Sequence, residues 1–167
     1  MKREGYVIGI DPDVEKSGVA VLDCEEREFT RVQALTFPEL VDFLTAINAD
    51  LIVGEFSDIV IVIEDSDLST NWHVNPRDNK ATAAAKGRSV GMCHATARHI
   101  KEIAEHYGLE VVPMKPLRKC WKGRDGKITH EEVAYFMRGL PKQTNPETRD
   151  SMLLAWAYAD FPIRVKN

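Results

Sequence analysis

Four acidic side chains, Asp11, Glu64, Glu147 and Asp150, stand where metal-dependent chemistry needs them. Asp11 and Glu64 each follow directly on a short apolar, β-branched run, residues 6–10 and 59–63. Two buried strands therefore deliver a carboxylate at their C-terminal ends, where ligands collect in open α/β sheets. Asn145 and Pro146 read as the cap and first position of a helix, so Glu147 lies in the first turn and Asp150 three residues on, along the same edge. Glu147 alone would suit the helix dipole, a contribution of about 0.3–1 kcal/mol. Asp150 lies deeper, just before Met152, Leu153, Ala155 and Trp156, where an unpaired charge is expensive. Hard divalent cations such as magnesium or manganese take carboxylate oxygens and would offset that cost.

The elements that must position these acids follow from periodicity. Strands are expected at 6–10, 18–22 and 29–32, the last two joined across a polar hairpin loop at 23–28, giving three adjacent antiparallel strands. Phe37, Leu40, Val41, Leu44 and Ile47 recur at helical spacing. The run 59–63 reads as a central strand covered on both faces, followed by a polar loop over 66–77. A long helix is expected from about 79 to 107, with an apolar seam of Cys93, Ala97, Ile100, Ala104 and Tyr107 and with Gly108 as its stop. A strand at 109–112, a helix at about 129–138 and a final helix from 145 complete one domain over residues 1–167. The order predicts an α/β fold: a five-stranded mixed sheet, three antiparallel strands and then parallel ones, flanked by helices.

Composition bounds the function. A chain of 167 residues, 44% hydrophobic and 29% charged, suits a globular domain with a sizeable core. The longest apolar stretch, 59–63, is far too short for a membrane span, and no signal-type segment opens the chain, so a cytoplasmic protein is expected. Cys24, Cys93 and Cys120 are odd in number and make no CxxC pair, which argues against a disulfide framework or a zinc ribbon; Cys93 reads as a core residue.

The net charge of −4 conceals a segregation. Residues 1–75 hold 16 Asp and Glu against 5 Lys and Arg, whereas 111–130 hold six basic residues, Lys115, Arg118, Lys119, Lys122, Arg124 and Lys127, against Asp125 alone. Such a run is as readily a solvated face as a phosphate-binding loop. Trp121 inside it, and Trp72 in the loop after Glu64, could stack on an unpaired base, although a loop tryptophan more often anchors its loop to the core. Gly87 and Gly91, four apart within the long helix at about 1 kcal/mol each relative to Ala, predict close approach of another backbone.

The segments Val7-Ile-Gly-Ile-Asp11-Pro and Ser17-Gly18-Val19-Ala20-Val21 resemble the first hairpin of the RuvC-type Holliday junction resolvases of the ribonuclease H-like superfamily. Ile61-Val-Ile-Glu64 is similar to that family's second acidic strand, Gly87-Arg-Ser-Val-Gly91 to its glycine-flanked helix segment, and Glu147-Thr-Arg-Asp150 to its paired acids. The resemblance spans residues 6–159. It departs at Asp13, where the family often has glycine, and at Glu147, where Asp or His is commoner. It implies a ribonuclease H-like nuclease in which Asp11, Glu64, Glu147 and Asp150 hold two magnesium ions about 4 Å apart for in-line phosphodiester hydrolysis, manganese being able to substitute. Lys127 is favoured as the assisting lysine over Lys119 and Lys122. Lys115, Arg118, Lys119, Lys122, Arg124, Lys127, Arg88 and Trp72 become candidate DNA contacts, Leu68 or Trp72 a candidate junction wedge, and a homodimer joined through the long helix acts on four-way junctions. A binding module without catalysis, a relative acting on other branched or RNA substrates, and an actin-like phosphotransferase stay open. The last is disfavoured because such proteins duplicate the domain.

Overall fold

The computed structural model describes residues 5–54, 58–65, 68 and 75–164; Trp72 lies outside them. The chain opens with an antiparallel meander, β1 (Tyr6–Asp11), β2 (Ser17–Asp23) and β3 (Glu28–Leu35), and continues through α1 (Phe37–Val53), β4 (Ile59–Glu64), α2 (Lys80–His106), β5 (Glu110–Met114), α3 (His130–Phe136) and α4 (Pro146–Tyr158). The sheet order is β3-β2-β1-β4-β5, with β1, β4 and β5 parallel, so the expected five-stranded mixed sheet is the one observed.

Strand periodicity decides which side of the sheet holds the chemistry. Ile8, Ile10, Ile59, Ile61 and Ile63 pack with Leu40, Leu44, Ile100 and Ala104 on the α1–α2 side. Val7, Val60 and Val62 pack with Val133, Met152, Leu153 and Trp156 on the α3–α4 side. Asp11 and Glu64 continue this second alternation and project towards α4. They stand one residue beyond Ile10 and Ile63, the last positions paired between the adjacent parallel strands β1 and β4.

Helix α4 lies on this face almost without spacer side chains. A Cβ at Gly9 would collide with the backbone of Ser151, and one at Gly18 with the backbone of Glu147. Two glycines in neighbouring strands thus seat the helix directly on the sheet and bring its first turn over the C-terminal end of β1.

Helix α2 departs from expectation. Only Ile100 and Ala104 of its seam are buried; Ala97 and Tyr107 pack partly, and Cys93 is half-buried rather than a core residue. The helix meets the sheet at β4 and β5 through its C-terminal part, and residues 80–99 have no buried member. Its apolar period is real, but among the described residues nothing buries the first half. Gly87 and Gly91 likewise have no atom of the described residues within 4 Å of a Cβ position, so the expected close approach does not occur among the described residues. The strand expected at 29–32 extends over Glu28–Leu35, and α3 ends at Phe136, short of the expected 138, because Met137 turns to an extended backbone. No helix among the described residues is long and apolar enough to cross a membrane.

Candidate active site

Two reciprocal capping boxes fix the local frame. At α4 the Asn145 side chain accepts from the Thr148 N–H at 2.8 Å, the Asn145 N–H donates to Thr148 Oγ1 at 3.1 Å, and Pro146 fills the first turn. Glu147 and Asp150 are thereby aimed from one helix edge, as their spacing predicts.

The second box, at α3, has a larger role than a cap. Glu132 is 3% exposed and accepts from the Thr129 N–H at 2.9 Å, from Thr129 Oγ1 at 3.0 Å and from the Lys122 N–H at 3.2 Å. Burial alone would raise this carboxyl, but the Thr129 and Lys122 donors outweigh it and hold it below its ordinary range. Glu132 therefore grips the basic segment ten residues upstream. That segment is also closed on itself: the Trp121 N–H donates to Gly126 O and the Gly123 N–H to Lys127 O, each at 3.0 Å. Asp125 and Gly126 take left-handed backbone angles at the turn between them, φ 55° and 73°.

Arg149, between the paired acids, ties the layers together. Its Nε donates to Ile128 O at 2.7 Å and its Nη1 to Thr144 O at 2.7 Å. The residue before Ile128 is Lys127, and its Nζ reaches Asp150 Oδ2 at 3.1 Å. Thus the last cation of the basic segment is lodged against an acid of α4.

The electrostatics show one coupled cluster. Burial, then the charges of Glu64 and Asp150, push Asp11 well above the usual carboxylate range; Glu147 adds to the rise and Lys127 opposes it. Burial and Asp150 raise Glu64 as well, against the pull of Lys119 and Lys127. Burial pulls the Lys127 ammonium down, but its pairing with Asp150 and the fields of Asp11 and Glu147 outweigh this and leave it raised. Among the described residues neither the Asp11 nor the Glu64 carboxylate accepts a hydrogen bond from the protein.

This donor set is all carboxylate oxygen, which suits a hard divalent ion. Among the described residues no three His, Cys, Asp or Glu side chains form a ready-made ligand group, zinc-type Cys93–His94 included. The negative charge is instead partly balanced by the Lys127 ammonium. A cleft with a cavity of about 20 Å³, room for a single water, lies between Glu64, Lys119, Trp121, Lys127 and Asp150.

Of the other candidate contacts, Arg118 and Lys119 line this cleft, while Lys115, Lys122 and Arg124 are exposed on the same segment and Arg124 pairs with Asp125 at 3.6 Å. Arg88 is exposed on α2, across the sheet from α4. Trp121 stacks on Phe136, centroids 6.2 Å apart, and so anchors its loop. Glu132 and Arg149 escaped the sequence reading. Thr129-x-x-Glu132 carried a readable capping signal, whereas nothing local marks Arg149, whose partner Ile128 is 21 residues away.

No family model and no curated protein matches the chain. Among solved structures it is similar to Thermus thermophilus RuvC in complex with a Holliday junction substrate, at 13% identity over 93% of both chains with a TM-score of 0.53. It is also similar to Thermus thermophilus RuvC alone, at 17% identity over 93% of this chain and 96% of that one with a TM-score of 0.48, and to the Fowlpox virus resolvase with Holliday junction DNA, at 10% identity over 93% and 97% with a TM-score of 0.44. The fold is therefore the ribonuclease H-like fold of RuvC.

Proposed function

We propose that this protein is a divalent-metal-dependent endonuclease of the RuvC type, acting on branched DNA such as four-way junctions. The observation that carries the reading is the coupling of Asp11, Glu64 and Asp150 beside a lysine of an otherwise basic segment. Acids gathered from two strand ends and one helix edge gain nothing for stability, since burial and the neighbouring carboxylates raise Asp11 and Glu64, and such costly clusters belong to functional sites. Asp11, Glu64, Glu147 and Asp150 would hold the metal. Bound magnesium or manganese supplies activation of water and stabilisation of the leaving oxygen.

The chain's own residues do the rest. Lys127 balances the acids before substrate arrives and exchanges Asp150 for a phosphate oxygen when the backbone enters, so the approaching polyanion meets a cation rather than a bare acidic cleft. Lys115, Arg118, Lys119, Lys122 and Arg124 hold the flanking phosphates, with Glu132 fixing the segment from below. The exposed first half of α2, with its open glycines, is where a second copy would pack to make the homodimer, and the same reading gives Arg88 and Trp72 their DNA contacts.

The test is nicking of a labelled four-way junction against linear duplex and RNA–DNA hybrid, with magnesium and with EDTA. Metal-dependent nicks confined to the junction support the proposal. Cutting of linear duplex alone contradicts the junction specificity, and cutting that persists in EDTA contradicts the metal dependence.

A further inference from the structure

A second cavity, of about 320 Å³, opens on the α3–α4 side away from the acids. Three arginines converge on it from separate segments: Arg27 from the β2–β3 hairpin, Arg138 just after α3 and Arg164 after α4. All three are exposed, and among the described residues none forms an ion pair. The hairpin acid Glu28 borders Gly139, next to Arg138, yet leaves the guanidinium unpaired. Gathering three like charges around one cavity costs free energy, which an anionic ligand would return.

The cavity is built rather than incidental. Arg27 holds a left-handed φ of 54°, a costly angle for a non-glycine residue, and its guanidinium lies 5.0 Å from the Phe161 ring. The carbonyl of Arg138 accepts from the Phe29 N–H at 3.0 Å, and a Cβ at Gly139 would collide with Phe29, so this corner is pinned to β3. Tyr135, Phe136 and Trp156 give an aromatic wall. Trp156 is 5% exposed and its indole N–H is already donated to Pro162 O, whereas Tyr135 is 53% exposed and offers a free ring face.

We infer that this cavity binds one nucleotide of a nucleic-acid strand, with phosphate on the arginines and base on Tyr135. The inference rests on the nuclease reading, and continuity favours a nucleic acid over an acidic peptide. Helix α3 starts three residues after Lys127 and runs about 10 Å to Phe136, about three base steps. Phe136 lines the cavity and also stacks on Trp121 of the basic segment. A strand held at Lys127 is thus led along α3 to Arg138. The size also fits, since ligand cavities begin at about 300 Å³.

The test is anisotropy titration of the whole protein, in EDTA so that no cleavage occurs, with a short labelled oligothymidylate across a range of salt. The Arg138→Glu/Arg164→Glu pair, both exposed, is expected to weaken binding about tenfold and to reduce the salt slope by about 0.7, the loss of one phosphate contact. Tyr135→Ala is expected to weaken it about fivefold with the slope unchanged. Unchanged affinity and slope in the arginine pair, with the wild type binding normally, overturns the cavity and leaves the nuclease reading intact. A wild type that binds no oligonucleotide and cuts no junction overturns both. Loss confined to a labelled polyglutamate, with oligothymidylate unaffected, overturns it in favour of an acidic protein partner.

Discussion

Lys127 Nζ lies 3.1 Å from Asp150 Oδ2, and this contact joins the basic segment to the acidic edge of α4. It is partly exposed, with 32% and 23% of the two side chains open to solvent, so its own contribution to stability is small. Its effect is positional. Burial and then neighbouring carboxylates raise Asp11 and Glu64, and the ammonium opposes that rise. Lys127→Ala is expected to raise the Asp11 pKa further, visible by NMR titration of its carboxyl, and to lower nicking about 100-fold with little change in junction affinity. A downward movement of the Asp11 pKa would contradict the coupling.

The raised acids set a pH dependence. An acid whose folded pKa exceeds its unfolded value binds its proton more tightly when folded. Its contribution to stability is full below the ordinary carboxylate pKa of about 4 and is lost as pH rises through the raised value. Asp11→Asn, which keeps the shape and removes the charge, should therefore raise Tm at pH 7, by about 2–4 °C for each 1 kcal/mol of repulsion relieved, and should have little effect near pH 4. Thermal scans from pH 4 to 8 without metal measure this. Magnesium should raise the wild-type Tm and move that of Asp11→Asn much less.

Arg149 couples the helix that carries Glu147 and Asp150 to the backbone beside Lys127. Lysine cannot span the Ile128 and Thr144 carbonyls with one fork. Arg149→Lys is expected to cost about 1.5–3 kcal/mol, read as a fall in Tm of about 5 °C, and to lower kcat more than it raises KM. Equal Tm and kcat in the variant would show that the tie is idle.

The glycines separate into two kinds by what surrounds them. Gly9→Ala or Gly18→Ala forces α4 off the sheet and should cost about 3 kcal/mol or more together with nicking. Gly87→Ala and Gly91→Ala meet no atom of the described residues and should stabilise the helix by about 0.5–1 kcal/mol each in the isolated chain. Sedimentation gives the second reading: a dimer that weakens in the α2 variants places the partner on that face.

How far these features were legible in the sequence depends on the range of the interaction. Residues 6–10 and 59–63 announced themselves because a strand buried on both faces must be apolar throughout, and the acid after each run marked the strand end. Asn145-Pro146 announced α4 because capping is local. The Glu132 cap on Thr129 is local and readable, whereas its hold on Lys122 and the Arg149 tie to Ile128 were hidden because those partners lie ten and 21 residues away, brought near by the fold. The seating of α4 on Gly9 and Gly18 was hidden for the same reason. Periodicity gave the apolar edge of α2 but could not say what covers it, so Cys93 was assigned to a core that does not reach it.

The most direct test is cleavage of a labelled synthetic four-way junction by the wild type and by Asp150→Asn in magnesium, each first shown to bind the junction equally in EDTA. Paired nicks from the wild type and a loss of about 100-fold or more in the variant are expected. Equal nicking by the two proteins would contradict this expectation, because the acid cluster would then not be the hydrolytic centre.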